Sequence, residues 1–408
     1  MDLCIARQPI FTKTLDLFAY RLEFRSGFDQ ALPALDPTVA SAQLIAETVA
    51  HLGLHELTGG TRAVIPVSRT LLVGHYAAML PRDHTVVEVG DEVPADQAAV
   101  SVCAELHRAG HRLAIPVSRR DPSRLLPRLP WADILIVDAR TSPLPDPARI
   151  RSTTGTPITV LAAHVETQAM FQAAVAAGYD VFRGPFFTQP GPVRASNLPA
   201  WRLRYLTLLE AVLAPDSNIL RVADIITRDV TLAYRLLRYV NSAYFGLPRT
   251  IRSIMDALLL LGERDVQRWA CLMNLAALGD HAPAAIVVEC AVRGRMCELI
   301  AQHCREAVSG GDAFLVGLFS LLDVLLDRPL AAVLADFPLP TAVKDALLGV
   351  RNPLREVLDC VLAYMRADWE QFATQIAGLG PVPTEVPQRY REAIAWAQDI
   401  LPATDRVN

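Results

Sequence analysis

Short runs of β-branched and aliphatic residues recur through the first 187 positions, with helix-patterned stretches between them. This alternation restricts the fold more than any other feature. Thr61–Val67 (TRAVIPV), Thr85–Val89 (TVVEV), Arg112–Val117, Ile134–Asp138 (ILIVD), Pro157–Ala162 and the pair Val181–Phe182 have the composition of strands, as does the longer Leu15–Phe24. Ser41–Leu52, Ala95–Ala109 closed by Gly110, and Glu166–Ala177 stopped by Gly178 have helical spacing. A strand that is apolar on both faces has to be covered on both. Repeated β-then-α order with such strands predicts a parallel sheet flanked by helices. About seven or eight units in so short a stretch predict a compact (β/α) barrel, with a doubly wound open sheet as the alternative. In a barrel, chemistry belongs at the C-terminal ends of the strands.

Three prolines and a glycine in Thr188–Pro199 (TQPGPVRASNLP) mark a semi-rigid linker at 188–199. It divides the chain into 1–187 and 200–408. Beyond it the pattern is helical throughout. Helices are predicted at Trp201–Leu213, Ile219–Thr227, Leu232–Ser242, Asp265–Leu278 and Ala284–Glu306, the last with its charges mostly on one side. Asp312–Asp327, Pro329–Asp336, Thr341–Gly349, Leu354–Met365, Asp368–Ile376 and Pro387–Leu401 follow, separated by Pro338, Pro340 and Pro353. Trp369, Tyr390 and Trp396 are expected in the core.

Within this half, Leu236–Gly262 reads as helix, break, helix. Leu232, Leu236, Tyr239 and Ala243 share one apolar face. Gly246 and Pro248 stop the first helix, Ser253 offers a hydroxyl cap with Asp256 as a loose capping-box partner, and Gly262 is expected to close the second helix.

The chain is half apolar, with mean hydropathy +0.26, net charge −4 and pI near 6.2, and both signs of charge are well mixed. No basic stripe argues for nucleic acid as the main partner. Seven cysteines without a CxxC predict reduced thiols and a cytoplasmic protein, and no signal peptide is expected at the start. The longest largely apolar run, Ala313–Leu326, contains Asp323 and is shorter than the ~20 residues a membrane span needs. Cys290, Cys297 and Cys304 lie seven residues apart, about 10.5 Å along a helix, too far for one ion to bridge. They are expected on one buried helix face.

The run formed by Asp229, Leu232, Ala233, Leu236, Leu237, Arg238, Asn241, Ser242, Ala243, Phe245 and Gly246, followed by Ile251, Ser253, Ile254, Ala257, Leu261 and Gly262, resembles the HDOD family. That family is a catalytically dead relative of the HD-type metal phosphohydrolases. None of the nine histidines is followed by aspartate, so the paired ligands of an HD metal site are absent. The resemblance implies an all-helical signalling or interaction domain. Asp229, Asn241, Ser242, Gly246, Ser253 and Gly262 are its marked positions, with Asn241 and Ser242 the first to mutate, although such residues also cap and bend helix ends.

The opening IARQPIF at Ile5–Phe11 and YRLEFR at Tyr20–Arg25 resemble the start of EAL domains joined to HDOD domains in bacterial signalling proteins. EAL domains are barrels that hydrolyse cyclic di-GMP with two Mg²⁺ or Mn²⁺ ions. The resemblance implies an α/β half (an EAL-like barrel) followed by an all-α half (an HDOD, HD-superfamily-like domain). Carried over by strand ends, the signature glutamate falls on Arg21, the second-strand asparagine on Pro66, the aspartate pair on Pro116 and Val117, the catalytic lysine on Ile136, the sixth-strand glutamate on Ala163, and the glutamine before the conserved glycine on Arg183. Glu88, Asp138 and Glu166 survive, with Asp91 near the first. Neither a D-D pair nor E-A-L occurs in the chain. Two hard cations need several converging carboxylates. The vestigial cleft of Arg21, Glu88, Asp138, Glu166 and Arg183 is therefore expected to hold no metal and no catalytic residue, Mg²⁺ or Mn²⁺ returning only with residual phosphodiesterase activity.

Arg119, Arg120 and Arg140 add cations near the strand ends. Arginine forks suit phosphate, so an anion cleft for cyclic di-GMP is one expectation. Pairing of these arginines with Glu23, Glu88 or Asp138, or their exposure to water, is the other, and the favoured one. The sequence thus predicts a non-enzymatic signalling protein that works by contact with diguanylate cyclases, kinases or transcription regulators. A metal-independent cyclic di-GMP receptor and a residual phosphodiesterase are the alternatives, and EAL resemblance allows a homodimer.

Overall fold

The computed structural model describes residues 3–26, 54–90, 93–117, 130–141, 144–154, 157–188, 200–214, 218–242, 245–278, 283–326, 328–380 and 383–401. Asp91, Arg119, Arg120, Ala243, the predicted helix Ser41–Leu52 and nearly all of the predicted linker lie outside the described residues. The chain divides into two compact units, Met1–Gln189 with Tyr364–Asp368, and Pro190–Ala363 with Trp369–Asn408.

The first unit is a closed eight-stranded barrel, β1 (Leu3–Thr12), β2 (Leu17–Ser26), β3 (Arg62–Val67), β4 (Thr85–Val89), β5 (Arg112–Pro116), β6 (Ile134–Asp138), β7 (Thr159–Ala163) and β8 (Val181–Arg183), hydrogen-bonded in that order. From β2 to β8 neighbouring strands run parallel. Helices such as Gln97–Arg108 and Gln168–Ala177 connect them. Asp96 and Thr167 cap those helices by accepting from Ala99 N at 2.9 Å and Met170 N at 3.2 Å.

The start departs from the expected β-then-α repeat. β1 is antiparallel to both β2 and β8, so the barrel opens with a hairpin. Its turn places Leu15 at φ 64°, with Thr12 N–H donating to Asp16 O and Asp16 N–H to Thr12 Oγ1. β1 escapes sequence reading because Arg7 and Pro9 sit inside it, and both residue types count against a strand. Arg7 is nonetheless buried, donating to Leu57 O at 3.0 Å and lying over the Tyr20 ring.

Side chains alternate along each strand, and one set fills the barrel: Ile10, Ala19, Val64, Val86, Ala114, Ile134, Ile136, Leu161, Ala163 and Val181. The same alternation puts Arg21, Pro66, Glu88, Pro116, Asp138 and Arg183 on the inward face, one step nearer the C-terminal strand ends. Gly184 follows directly. Its φ is 148°, and a Cβ there would sit 2.2 Å from Val165 O. Only glycine lets β8 leave the sheet so close to the turn after β7.

The second unit is helical. Successive helices include Ala200–Leu213, Ile219–Thr227, Val230–Val240, Ile254–Leu278, Ala284–Ala301 and Gly310–Phe319. Ala284–Ala301, expected to carry its charges mostly on one side, holds several of them in the core. Glu289, Arg293 and Glu298 are buried, Glu298 between Arg268 and Arg295, and Glu289 against Arg293. Burial of these charges is sustained by pairing. The expected helix Asp312–Asp327 is two helices, Gly310–Phe319 and Leu322–Leu326. Gly317 backs onto Ala284–Ala301, where a Cβ would lie 2.5 Å from Arg293 O, so the two backbones touch. Trp396 and Tyr390 are core residues, while Trp369 is half-buried. No helix among the described residues is long and apolar enough to cross a membrane.

Candidate functional site

At the C-terminal end of the barrel interior three strands bring charge together. β4 supplies Glu88, β2 supplies Arg21, and β8 supplies Arg183. Arg21 Nε donates to Glu88 Oε2 at 2.8 Å, and Arg183 Nη1 donates to the same oxygen at 3.0 Å. Arg21 also pairs with Glu23 through Nη1. Glu88 is 7% exposed and Arg183 8%. Burial alone pushes the Glu88 carboxyl up, but Arg183 and Arg21 together outweigh it and hold the group below its ordinary range. The cluster is two cations and two carboxylates, and it is neutral as a whole.

Asp138, at the end of β6, makes a second pair. Arg140 donates to it through Nε at 3.0 Å and Nη2 at 2.8 Å, and through its backbone N–H at 2.9 Å. The Arg140 fork takes the Asp138 carboxyl down to about 2. His164 Nδ1 lies 3.7 Å from Asp138 Oδ1, and burial together with Arg140 holds the imidazole below its usual value. His164 adopts φ 56°, uncommon outside glycine. Sequence reasoning did not single it out. The one signal was its place directly after the β7 strand end, since a left-handed histidine leaves no mark in composition.

The predicted cleft residues thus fall into two groups. Arg21, Glu88 and Arg183 converge, and Asp138 sits apart with Arg140 and His164. Glu166 is exposed on the loop after β7 and makes no ion pair among the described residues. Its charge reaches Arg140, whose guanidinium Asp138 and then Glu166 hold above its ordinary value.

At this mouth one Glu88 oxygen, Oε2, accepts from two guanidiniums, whose charge opposes a divalent cation there. Among the described residues no three His, Cys, Asp or Glu side chains converge closely enough to hold an ion. Cys271, Cys290, Cys297 and Cys360 are buried, with thiols held above their ordinary range by burial.

In the helical unit the marked positions serve local geometry. Asp229 caps Val230–Val240, accepting from Thr231 N at 2.9 Å and Leu232 N at 3.2 Å. Asn241, just past that helix, donates from Nδ2 to Leu237 O and Ile251 O and accepts from Ile251 N at 2.7 Å. One amide therefore ties the helix end to the chain ten residues on. Ser242 Oγ is buried without a hydrogen-bond partner among the described residues. Gly246 sits at φ 55°. Ser253 Oγ accepts from Asp256 N at 3.3 Å. Gly262, at φ 72° and ψ 170°, is a kink between two helical stretches that run on from one another. The expected cap is therefore a corner, with the chain resuming its helix at once.

Comparison with known proteins places this geometry. Residues 198–325 match the model of the HDOD domain. Over 411 aligned residues the chain is 28% identical to a Bacillus subtilis protein, the uncharacterized protein YuxH, covering 99% of this chain and 100% of that one. Over 399 residues it is 29% identical to the cyclic di-GMP phosphodiesterase CdgJ of Vibrio cholerae, covering 97% and 92%. Solved structures similar to it include the calcium and cyclic di-GMP complex of Klebsiella pneumoniae BlrP1, at 22% identity and TM-score 0.39 over 47% of this chain and 56% of that one. Another is the PaMucR phosphodiesterase with cyclic di-GMP, at 19% identity and TM-score 0.38 over 50% and 100%. The helical half of the chain carries an HDOD domain, preceded by a closed eight-stranded barrel.

Proposed function

We propose that this protein is a non-enzymatic component of cyclic di-GMP signalling that acts by binding other proteins, such as diguanylate cyclases, kinases or transcription regulators. The observation that carries this reading is the occupancy of Glu88. Its inward oxygen accepts from both Arg21 and Arg183, so the mouth of the barrel is already neutralised by cations of the protein itself. Asp138 is likewise engaged by Arg140. A metal-dependent hydrolase needs free carboxylates to bind its ions and a base to take a proton from water. Each inward carboxylate here is spoken for. The CdgJ relative ties the chain to cyclic di-GMP pathways. The Glu88 pairing also counts against a metal-free receptor, because the same guanidiniums would have to leave a buried carboxylate to reach a phosphate.

The second reading is a cyclic di-GMP phosphodiesterase, favoured by 29% identity over nearly the whole chain to the phosphodiesterase CdgJ. Calorimetric titration with cyclic di-GMP in Mg²⁺ and in Mn²⁺, followed by chromatography of the nucleotide, separates the readings. Under the first, no heat and no linear product are expected. Linear product overturns it. Heat with intact nucleotide, in EDTA as well, makes the barrel a receptor.

A further inference from the structure

The helix Val230–Val240 turns one face inward and leaves the other uncovered. Leu232, Leu236, Tyr239 and Val240 are buried. On the opposite side Val230 is 84% exposed and Tyr234, one turn on, is 62% exposed. Arg238 and Asn241 continue the same stripe at helical spacing. Asn241 then fixes Ile251 through its backbone, which sets the exposed Arg249 and Arg252 on either side of that anchor at the same helix end. From Val230 to Ser253 the chain holds Arg235, Arg238, Arg249 and Arg252 and no Asp or Glu, within a protein whose net charge is −4. Among the described residues Arg235, Arg249 and Arg252 make no ion pair. Other arginines of the structure do, as at Arg21, Arg69, Arg140, Arg183, Arg268 and Arg355.

Resting on the interaction reading above, we propose that this stripe is the docking surface for an acidic amphipathic segment of a partner protein. Its apolar side would cover Val230 and Tyr234, and its carboxylates would meet Arg249 and Arg252. Two observations select this occupant. Arg249 and Arg252, exposed and without an ion pair among the described residues, are complementary to carboxylates, and arginine forks bind them bidentately. The apolar half of the stripe includes a valine standing almost free in water. Nucleic acid would satisfy the arginines but leave that valine wet, whereas an amphipathic helix covers it. Asn241 is thus a positioning residue, holding the arginine-bearing loop in register with the helix.

The test uses the full chain and three fluorescein-labelled probes. They are a synthetic amphipathic peptide with leucines at i, i+3, i+4 and i+7 and glutamates elsewhere, the same peptide with the leucines changed to serine, and a duplex DNA of random sequence. Anisotropy is read at low and at physiological salt. The amphipathic acidic peptide is expected to bind. The affinity should fall tenfold or more in Tyr234→Ser and in the double variant Arg249→Glu, Arg252→Glu. It should not change in Leu348→Ser, a substitution at an exposed apolar residue elsewhere in the helical unit. Circular dichroism melts establish that each variant is folded. Because the altered side chains are surface residues, a folded variant with unchanged affinity overturns the proposal. So does equal binding of the serine peptide, tighter binding of DNA, or no binding of any probe. Hydrolysis of cyclic di-GMP in the separate titration would defeat the interaction reading whatever the peptide does. A chain inert toward nucleotide and indifferent to the peptide would defeat this inference alone.

Discussion

Arg183 Nη1 donates to Glu88 Oε2 at 3.0 Å across the inside of the barrel, joining the last strand to the fourth. Both residues are buried, so the bond carries more weight than a surface pair. Arg183→Met would leave Glu88 with Arg21 alone. We expect a loss of about 2–3 kcal/mol, short of the ~3–5 kcal/mol for a buried charge stripped of its only partner. Urea unfolding at neutral pH measures it. The pH dependence has a definite sign. Glu88 ionises more readily folded than unfolded, so its contribution is complete above the unfolded value near 4.5 and is lost as pH falls through that value toward the folded one. Wild type should therefore lose stability faster than the variant below about pH 4.5.

Asp138 should titrate at about 2 in the folded protein, because Arg140 holds the carboxylate. Removing that fork by Arg140→Ala should raise the value toward 3.8, its ordinary one. Carboxyl-carbon NMR titration of the two proteins reads this directly. Arg140 is half exposed, so the effect on global stability should be small.

Asn241→Ala removes the donor and the acceptor that hold Ile251, and the donor to Leu237 O. We expect about 1–2 kcal/mol of destabilisation. Amide exchange at Ile251 should accelerate more than at Leu232, which the Asp229 cap protects independently. Asn241→Asp keeps the acceptor and loses the donors, and should fall between the two.

Native-state reaction with a charged disulfide reagent should modify Cys304 alone. It is the one cysteine that is not fully buried, and burial keeps Cys290 and Cys360 protonated, each pushed up to about 12. The remaining six thiols should react only on unfolding. Early modification of Cys297 would mean that the helical core opens more readily than its packing indicates.

Gly317→Ala places a methyl 2.5 Å from Arg293 O and forces Gly310–Phe319 away from Ala284–Ala301. A loss of about 1–3 kcal/mol is expected, in the range of overpacked cores. Gly178→Ala is a contrasting case. A methyl there meets nothing within 4 Å, so any effect comes from its left-handed φ of 89°.

The residues show which features a sequence reveals. Arg21, Glu88 and Arg183 were grouped through the resemblance of their strand ends to those of EAL domains, and strand alternation puts them on one face at one end of the barrel. Asp229 was legible as a cap, since its carboxylate sits just before an amphipathic helix. The pairing of the arginines with Glu88 was the favoured expectation over an anion cleft, and the geometry has it so. Other features depend on contacts far apart in sequence. β1 was hidden by Arg7 and Pro9, whose environment comes from Leu57 and from β2. That charges of Ala284–Ala301 lie in the core was not legible, because part of what sustains them, Arg268 and Ser320, lies outside that helix. The corner at Gly262 looks like a helix end locally, and only the next turn shows that the helix continues.

The antiparallel closure of β1 against β8 has a consequence for how the protein is made. Ile10 pairs with Arg183, so the first stave of the barrel waits for the last. On a ribosome, chain emerges at about 5–20 residues per second, so β1 and β2 stand with an unmatched edge for roughly ten seconds or more. During that interval Arg21 is the one of the two Glu88 partners already synthesised, and the second arginine arrives only with the strand that seals the ring. Closure of the barrel and neutralisation of its mouth are therefore a single late event in biosynthesis. A chain stalled before Val181 would expose both a strand edge and an unbalanced buried carboxylate, which are marks that quality-control proteases can read.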